Sequence, residues 1–331
     1  MRLAFLCLSA PSLAVLALSG CGGGGGGGSN VDYALVTVGN PGNADDVTGF
    51  GGVPYVFRIG TYCVTIGQYA AFLNAVAADD PHSLYDSRMT TDRNSAGVAR
   101  EGSPGAYTYA VLDNDGSSAN RPITYVTWFD AARFANWMSN GQPTGAQDSS
   151  TTEDGAYALR GATSGIAIVR NAVNPNTGSA PEFWIPLEDE WYKAAYYSAA
   201  LNDGAGGYWL YPSQSNAAPG NAVGDGANQA NYFTTVFSVT QSPDYIATTE
   251  NYLTDVGAFP SSGSFYGTLD QGGNVWQWND LNGSAVPYRG IRGGYWFSGS
   301  APLQSVLFST DALTRSENGV GFRLASPGAV R

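Results

Sequence analysis

Positive charge is what this sequence has least of. Its 331 residues carry 15 Lys and Arg against 27 Asp and Glu, a net charge of −12, with a single lysine, Lys193. Such a chain offers no basic patch to neutralise phosphates, which excludes nucleic acid and charge-driven binding to anionic lipid. Histidine is nearly absent too. His82 is alone, in the loop-like run Asp79-Asp-Pro-His-Ser83, so multi-histidine iron or zinc sites and a Ser-His-Asp triad built on any other histidine are excluded. There are three cysteines, Cys7, Cys21 and Cys63. The first two fall in the amino-terminal segment, which leaves Cys63 as the domain's one thiol, read as a small buried hydrophobe with no disulfide partner. No repeat at a solenoid period is present.

Glycine and aromatics are abundant: 44 Gly, 20 Tyr and 8 Trp, with only 13% charged residues. This composition describes a loop-rich, aromatic-packed globule rather than a helical bundle. Met1-Arg2 followed by the apolar stretch Leu3–Leu18 reads as a secretory signal. Its ending, Leu18-Ser-Gly-Cys21, resembles the bacterial lipobox, which makes Cys21 the acylated first residue of the mature chain. An ordinary signal peptide cut near Ala17 or Gly20 is the other reading. The run Gly22–Gly28 then supplies a flexible tether of roughly 15 Å reach. The expected organisation is a lipoprotein signal over 1–20, the acylated cysteine and tether over 21–44, and one domain over 45–326. The localisation that follows is the bacterial cell envelope, with the outer membrane or cell surface ahead of the inner membrane, and the membrane itself is a partner through the lipid.

Tyr33–Val38, where the tether gives way to the fold, and Val53–Ile59 read as strands. A capping box of Thr65 and Gln68 opens a helix whose stripe is Tyr69, Phe72, Leu73 and Val76. Arg121–Val126 reads as a strand, and Thr127 with Asp130 opens a second helix to about Met138. Residues 147–180 read as a long surface insertion with a short hairpin. Glu188–Tyr196 reads as a third helix, with Glu188, Asp189 and Glu190 as a solvated first turn favoured by the helix dipole. The chain then stays loop-rich until Gly272-Gly-Asn-Val-Trp-Gln-Trp278, where Trp276 and Trp278 share one face of an extended segment.

Six blocks in this order resemble the sulfatase-modifying-factor family, the formylglycine-generating enzymes and their relatives. Val64–Leu73 is similar to its E-V-T-x-x-x-Y-x-x-F helix, Arg121–Ala131 to its P-V-x-x-V-S-W-x-D-A block, and Phe183–Trp191 to its R-L-P-T-E-A-E-W block. Gly273–Trp278, Arg292–Trp296 and Gly321–Arg323 complete the set. The resemblance implies an α+β fold, C-type-lectin-like, with few helices, short irregular antiparallel strands and long loops. It also implies where chemistry would sit. The oxidase members bind copper(I) through two cysteines after the R-G-G block, and the matching positions here are Ser298 and Leu303, so no copper is expected. The related sulfoxide synthases need several histidines. A calcium loop carried over residue by residue falls on Asp270, Gly273, Val275 and Gln277, with Gln277 where the family has Glu. A second calcium group falls near Asn231, Tyr232, Glu250 and Tyr252. An ordinary hydrogen-bonded turn is the competing reading of the same residues.

The functional expectation is a lipid-anchored, non-catalytic module for an unidentified ligand or protein. Tyr295, Trp296, Phe297, Ser298, Ser300, Asp311 and Arg315 are its candidate contact residues, because Tyr, Trp and Ser in one loop combine rigid aromatic area with adaptable polar groups. The segment from Arg292 to Gly321 also resembles the variable region of retroelement-diversified proteins. The alternatives are a formylglycine-generating-type oxidoreductase or other enzyme in the same cleft, drawing on Ser298, Tyr295, Asp311 or Arg315, and an envelope protein whose fold serves assembly only.

Overall fold

A computed structural model describes residues 30–328. The expected signal, Cys21 and the glycine tether lie outside the described residues. Among the described residues no helix is long and apolar enough to cross a membrane.

The chain starts with β1 (Leu35–Val38), which pairs antiparallel with β2 (Phe57–Gly60). The Tyr33 side chain is buried, and its hydroxyl accepts the Leu324 N–H at 2.9 Å. The fold therefore takes in residues ahead of 45, and the expected tether is correspondingly shorter. Helix α1 (Ile66–Val76) begins on the Thr65–Gln68 capping box, with Tyr69, Phe72, Leu73 and Val76 buried. A short helix α2 (Arg88–Thr91) and the hairpin β3 (Val98–Glu101) and β4 (Thr108–Val111) follow. Helix α3 (Trp128–Ser139) opens on the Thr127–Asp130 box and is buried along its whole length. Phe134 lies at its centre, 5.3 Å from Phe72, 5.6 Å from Trp137 and 5.4 Å from Phe322. Tilted and edge-to-face ring pairs of this kind make one core from both helices and the carboxyl end of the chain. After α4 (Glu188–Tyr196) come the two-residue strands β5 (Tyr197–Ser198) and β6 (Gly207–Tyr208).

The last third builds the sheet that carries the candidate site. Strand β7 (Trp276–Asn279) pairs antiparallel with β8 (Tyr288–Arg292), which pairs antiparallel with β9 (Ser309–Ala312). Strand β10 (Val320–Phe322) lies parallel to β7 on its other side. Strand β11 (Ala325–Pro327) returns to β2. Trp278 is fully buried in the main core, and Trp276 packs against the same cluster.

Three local expectations are corrected. Arg121–Val126 is not a strand. It makes one bridge, Pro122 to Thr65, because Pro122 has no N–H to extend the ladder and Tyr125 sits at φ +60°. The 147–180 segment is not a surface insertion throughout, and it contains an isolated Tyr157–Arg170 bridge instead of a hairpin. Glu153 reaches inward to Arg133 at 2.6 and 3.0 Å, and Tyr157 is fully buried. The acidic start of α4 is not a solvated turn. Glu188 and Glu190 are buried, because each carboxylate has fixed donors: Arg292 and Asn279 on Glu188, the Leu187 N–H and the Trp184 indole on Glu190. The dipole argument held for the sign of the charge but missed these partners.

Candidate functional site

The candidate loops are gathered by two glycine pairs. Gly273 donates to the Gly293 carbonyl at 2.7 Å, and Trp296 donates to the Asn274 carbonyl at 3.1 Å, stitching the segment before β7 to the one after β8. Gly273 is at φ +81°, and a Cβ there would stand 2.3 Å from the Asn231 carbonyl. Only glycine lets these backbones meet. Asn274 and Asn231, each 2% exposed, extend the lattice. Asn231 Nδ2 donates to the Tyr252 carbonyl at 2.8 Å and to Asn274 Oδ1 at 3.1 Å, while Asn274 Nδ2 donates to the Thr254 carbonyl at 3.0 Å.

Behind the loop, Arg292 fixes its return. The guanidinium pairs with Glu188 on α4, donates to the Ser305 carbonyl at 2.9 Å, and lies 4.9 to 5.5 Å from the Tyr192, Phe50 and Phe308 ring centroids. Burial outweighs that pairing and pushes the Glu188 carboxyl above its ordinary range.

These supports place an aromatic stack at the surface. Tyr252 lies 4.8 Å from Trp296 with ring planes 8° apart, Trp296 lies 5.3 Å from Phe297 at 16°, and Phe297 lies 5.4 Å from Tyr245 at 13°. Phe237 is buried beside all four rings. Phe297 and Tyr245 are the outward members, 45% and 47% exposed. Tyr245 is oriented by its hydroxyl, 2.6 Å from Asn94 Oδ1.

The expected contact residues therefore divide. Phe297 faces solvent, and Tyr295 and Ser300 are half-buried. Trp296 is buried and supports Phe297 without being reachable itself. Ser298 is buried, with its hydroxyl accepting the Tyr295 N–H at 2.8 Å in a tight turn. Asp311 and Arg315 pair with each other, and Arg315 also reaches Glu317 at 2.6 Å. Sequence reading missed Phe237 and Tyr245. They come from a stretch without periodicity, some 50 residues from Trp296, and carried no local signal.

The two positions where a copper pair would stand are neighbours. A Cβ on Gly294 would meet Leu303 Cδ1 at 2.8 Å and Ser298 Oγ at 3.2 Å. A methyl and a hydroxyl do not fit copper(I), which requires soft thiolate donors. Cys63 is buried elsewhere, next to Arg323, and burial pushes its thiol up to about 11. Among the described residues no cluster of three His, Cys, Asp or Glu side chains is arranged to hold a metal.

Calcium was tested on the oxygens available. Gln277 is fully buried, and its Oε1 already accepts Trp191 Nε1 at 2.8 Å and Arg323 Nε at 2.7 Å. Its Nε2 donates to the Asp270 carbonyl at 2.7 Å. Asp270 Oδ2 accepts the Gly257 N–H at 2.7 Å, and burial pushes its carboxyl up to about 6. The Gly273 carbonyl accepts the Val275 N–H at 2.9 Å. With Gln277 Oε1, Asp270 Oδ2 and the Asp270 and Gly273 carbonyls committed to donors, the expected ligand set keeps only Asp270 Oδ1 and the Val275 carbonyl free, too few protein oxygens for a hard cation wanting six to eight. In the second group Asn231 and Tyr252 do meet, but through the amide nitrogen. The Tyr232 carbonyl accepts from Asn221 at 3.1 Å, and the Glu250 carboxyl, pushed up by burial and then by Asp115, turns toward Asp115.

Residues 53–327 match a family described as "Sulfatase-modifying factor enzyme 1-like domain". No curated protein matches the chain. Among solved structures it is similar to that of CarF, at 19% identity over 90% of this chain and 99% of that one, TM-score 0.48. It is also similar to Treponema denticola variable protein 1, at 16% over 91% and 97%, TM-score 0.45. PvdO from Pseudomonas aeruginosa aligns at 19% over 89% and 92%, TM-score 0.43.

Proposed function

Since the chain belongs to the family of sulfatase-modifying factor enzyme 1-like domains, we propose that it uses that scaffold for recognition without catalysis, as a lipid-anchored envelope protein. The observation that carries this reading is the near-parallel stack Tyr252–Trp296–Phe297–Tyr245, in which Phe297 and Tyr245 are about half exposed. Such rings present a rigid, pre-ordered apolar face that loses little entropy when a ligand docks. The absence of thiolates at Ser298 and Leu303 argues against the oxidase chemistry. The Ser298 hydroxyl faces a backbone N–H, not a base that could activate it. The lipid anchor rests on Leu18-Ser-Gly-Cys21 alone.

The test is binding to an array of immobilised envelope glycans and peptides by the detergent-purified chain, alongside Phe297→Ala and Tyr245→Ala. One ligand class should be retained by the parent and weakened about tenfold or more in both variants, with melting temperatures unchanged. Copper(I)-dependent oxygen uptake on a cysteine peptide by the parent, or binding indifferent to both substitutions, would overturn the reading.

A further inference from the structure

We propose that the loop before β7 is closed by a protein donor in place of a calcium ion, with the Gln277 amide standing where a carboxylate bound to the cation would act in its relatives. Four arginines are essentially fully buried: Arg133, Arg289, Arg292 and Arg323. The first three each pair with a carboxylate: Glu153, Asp280 and Glu188. Arg323 has none within ion-pair distance among the described residues. It is neutralised by oxygens instead: Gln277 Oε1 at 2.7 Å and the carbonyls of Gly60, Leu269 and Thr61 at 2.9, 2.8 and 3.3 Å.

Gln277 is the hinge of this arrangement. A glutamate here could still accept from Trp191 and Arg323 with one oxygen. Its other oxygen would then replace Nε2, which sits 2.7 Å from the Asp270 carbonyl. Two acceptors at that distance repel unless a cation lies between them. With glutamine, the N–H itself bridges the gap, and the loop 270–277 is fastened with no ion. The chain thus needs no calcium to order the segment that positions Trp296, and its recognition face is independent of the calcium level around the cell.

The inference is read by melting the detergent-purified chain in excess EGTA and in millimolar calcium. The parent should melt at one temperature in both. Gln277→Glu should melt lower in EGTA and gain about 5 °C or more on adding calcium; unfolding in EGTA with rescue by calcium is the extreme form of the same result. Should the parent itself respond, Asp270→Asn decides. A response lost in Asp270→Asn overturns the proposal, whereas one that persists places the ion elsewhere and leaves this loop ion-free. A Gln277→Glu chain indifferent to calcium also overturns it, because the amide would then not be what keeps the ion out.

Discussion

Asp270 carries a cost that calcium would ordinarily offset. Its carboxyl is pushed from 3.8 up to about 6 by burial, against one backbone donor and the nearby Arg323. A carboxyl whose folded pKa is raised favours the fold most below its unfolded pKa, and that contribution is lost as the pH climbs through the folded value. Stability in EGTA should therefore fall between about pH 4 and pH 6. Asp270→Asn should flatten that fall, leaving the share due to Asp130, which is raised to about 6 for the same reason. Urea titrations across that window check the prediction; an unchanged slope would place the ionisation elsewhere. Gly273 acts by shape alone. Gly273→Ala forces a Cβ into the Asn231 carbonyl at a positive φ, so destabilisation of more than about 1 kcal/mol is expected, read from the same titrations.

Elements were legible to the degree that their signals are local. Both capping boxes and the apolar stripe of α1 stand in the structure where Thr65–Gln68 and Thr127–Asp130 placed them. What failed was long-range pairing. The acidic residues opening α4 look solvated in one dimension and become buried once Arg292, more than a hundred positions later, returns to Glu188. The aromatic stack has the same character: Trp296 and Phe297 lie in or next to a recognisable motif, while Tyr245 and Tyr252 arrive from an irregular loop. The Glu188–Arg292 pair is correspondingly the element-level weak point. Removing one partner strands a buried charge, which costs about 3–5 kcal/mol. Glu188→Gln should lower the unfolding free energy read from urea titrations by that amount and loosen the Ser305–Leu307 return, measured as faster amide exchange there. A loss below about 1 kcal/mol would mean that the Ser305 and Leu307 carbonyls and the three surrounding rings already satisfy Arg292.

For the whole molecule, the proposed envelope role raises the question of how a protein of net charge −12 would stay at a membrane surface. Anionic headgroups repel it, and no described helix can span a bilayer, so charge supplies no attachment. Acyl chains do, at about 0.8 kcal/mol for each buried methylene, and more than one chain is needed for firm anchoring. With Cys21 acylated, the Gly22–Gly28 run separates the lipid from a fold that begins near Val31, where the Val31 N–H meets Gln142 Oε1. On the proposed reading the acidic surface would then help, because repulsion would hold the domain off the membrane and leave the Phe297–Tyr245 face free for a ligand. Cys21→Ala should move the protein from the membrane pellet to the soluble fraction and abolish incorporation of labelled palmitate. The melting temperature of the domain should stay where it was, since nothing in its core touches the anchor. A Cys21→Ala chain that still sediments with membranes in high salt and carbonate would mean that a protein partner, not lipid, holds it there. The aromatic face would then be the first surface to test as that contact, by fractionating the Phe297→Ala double variant.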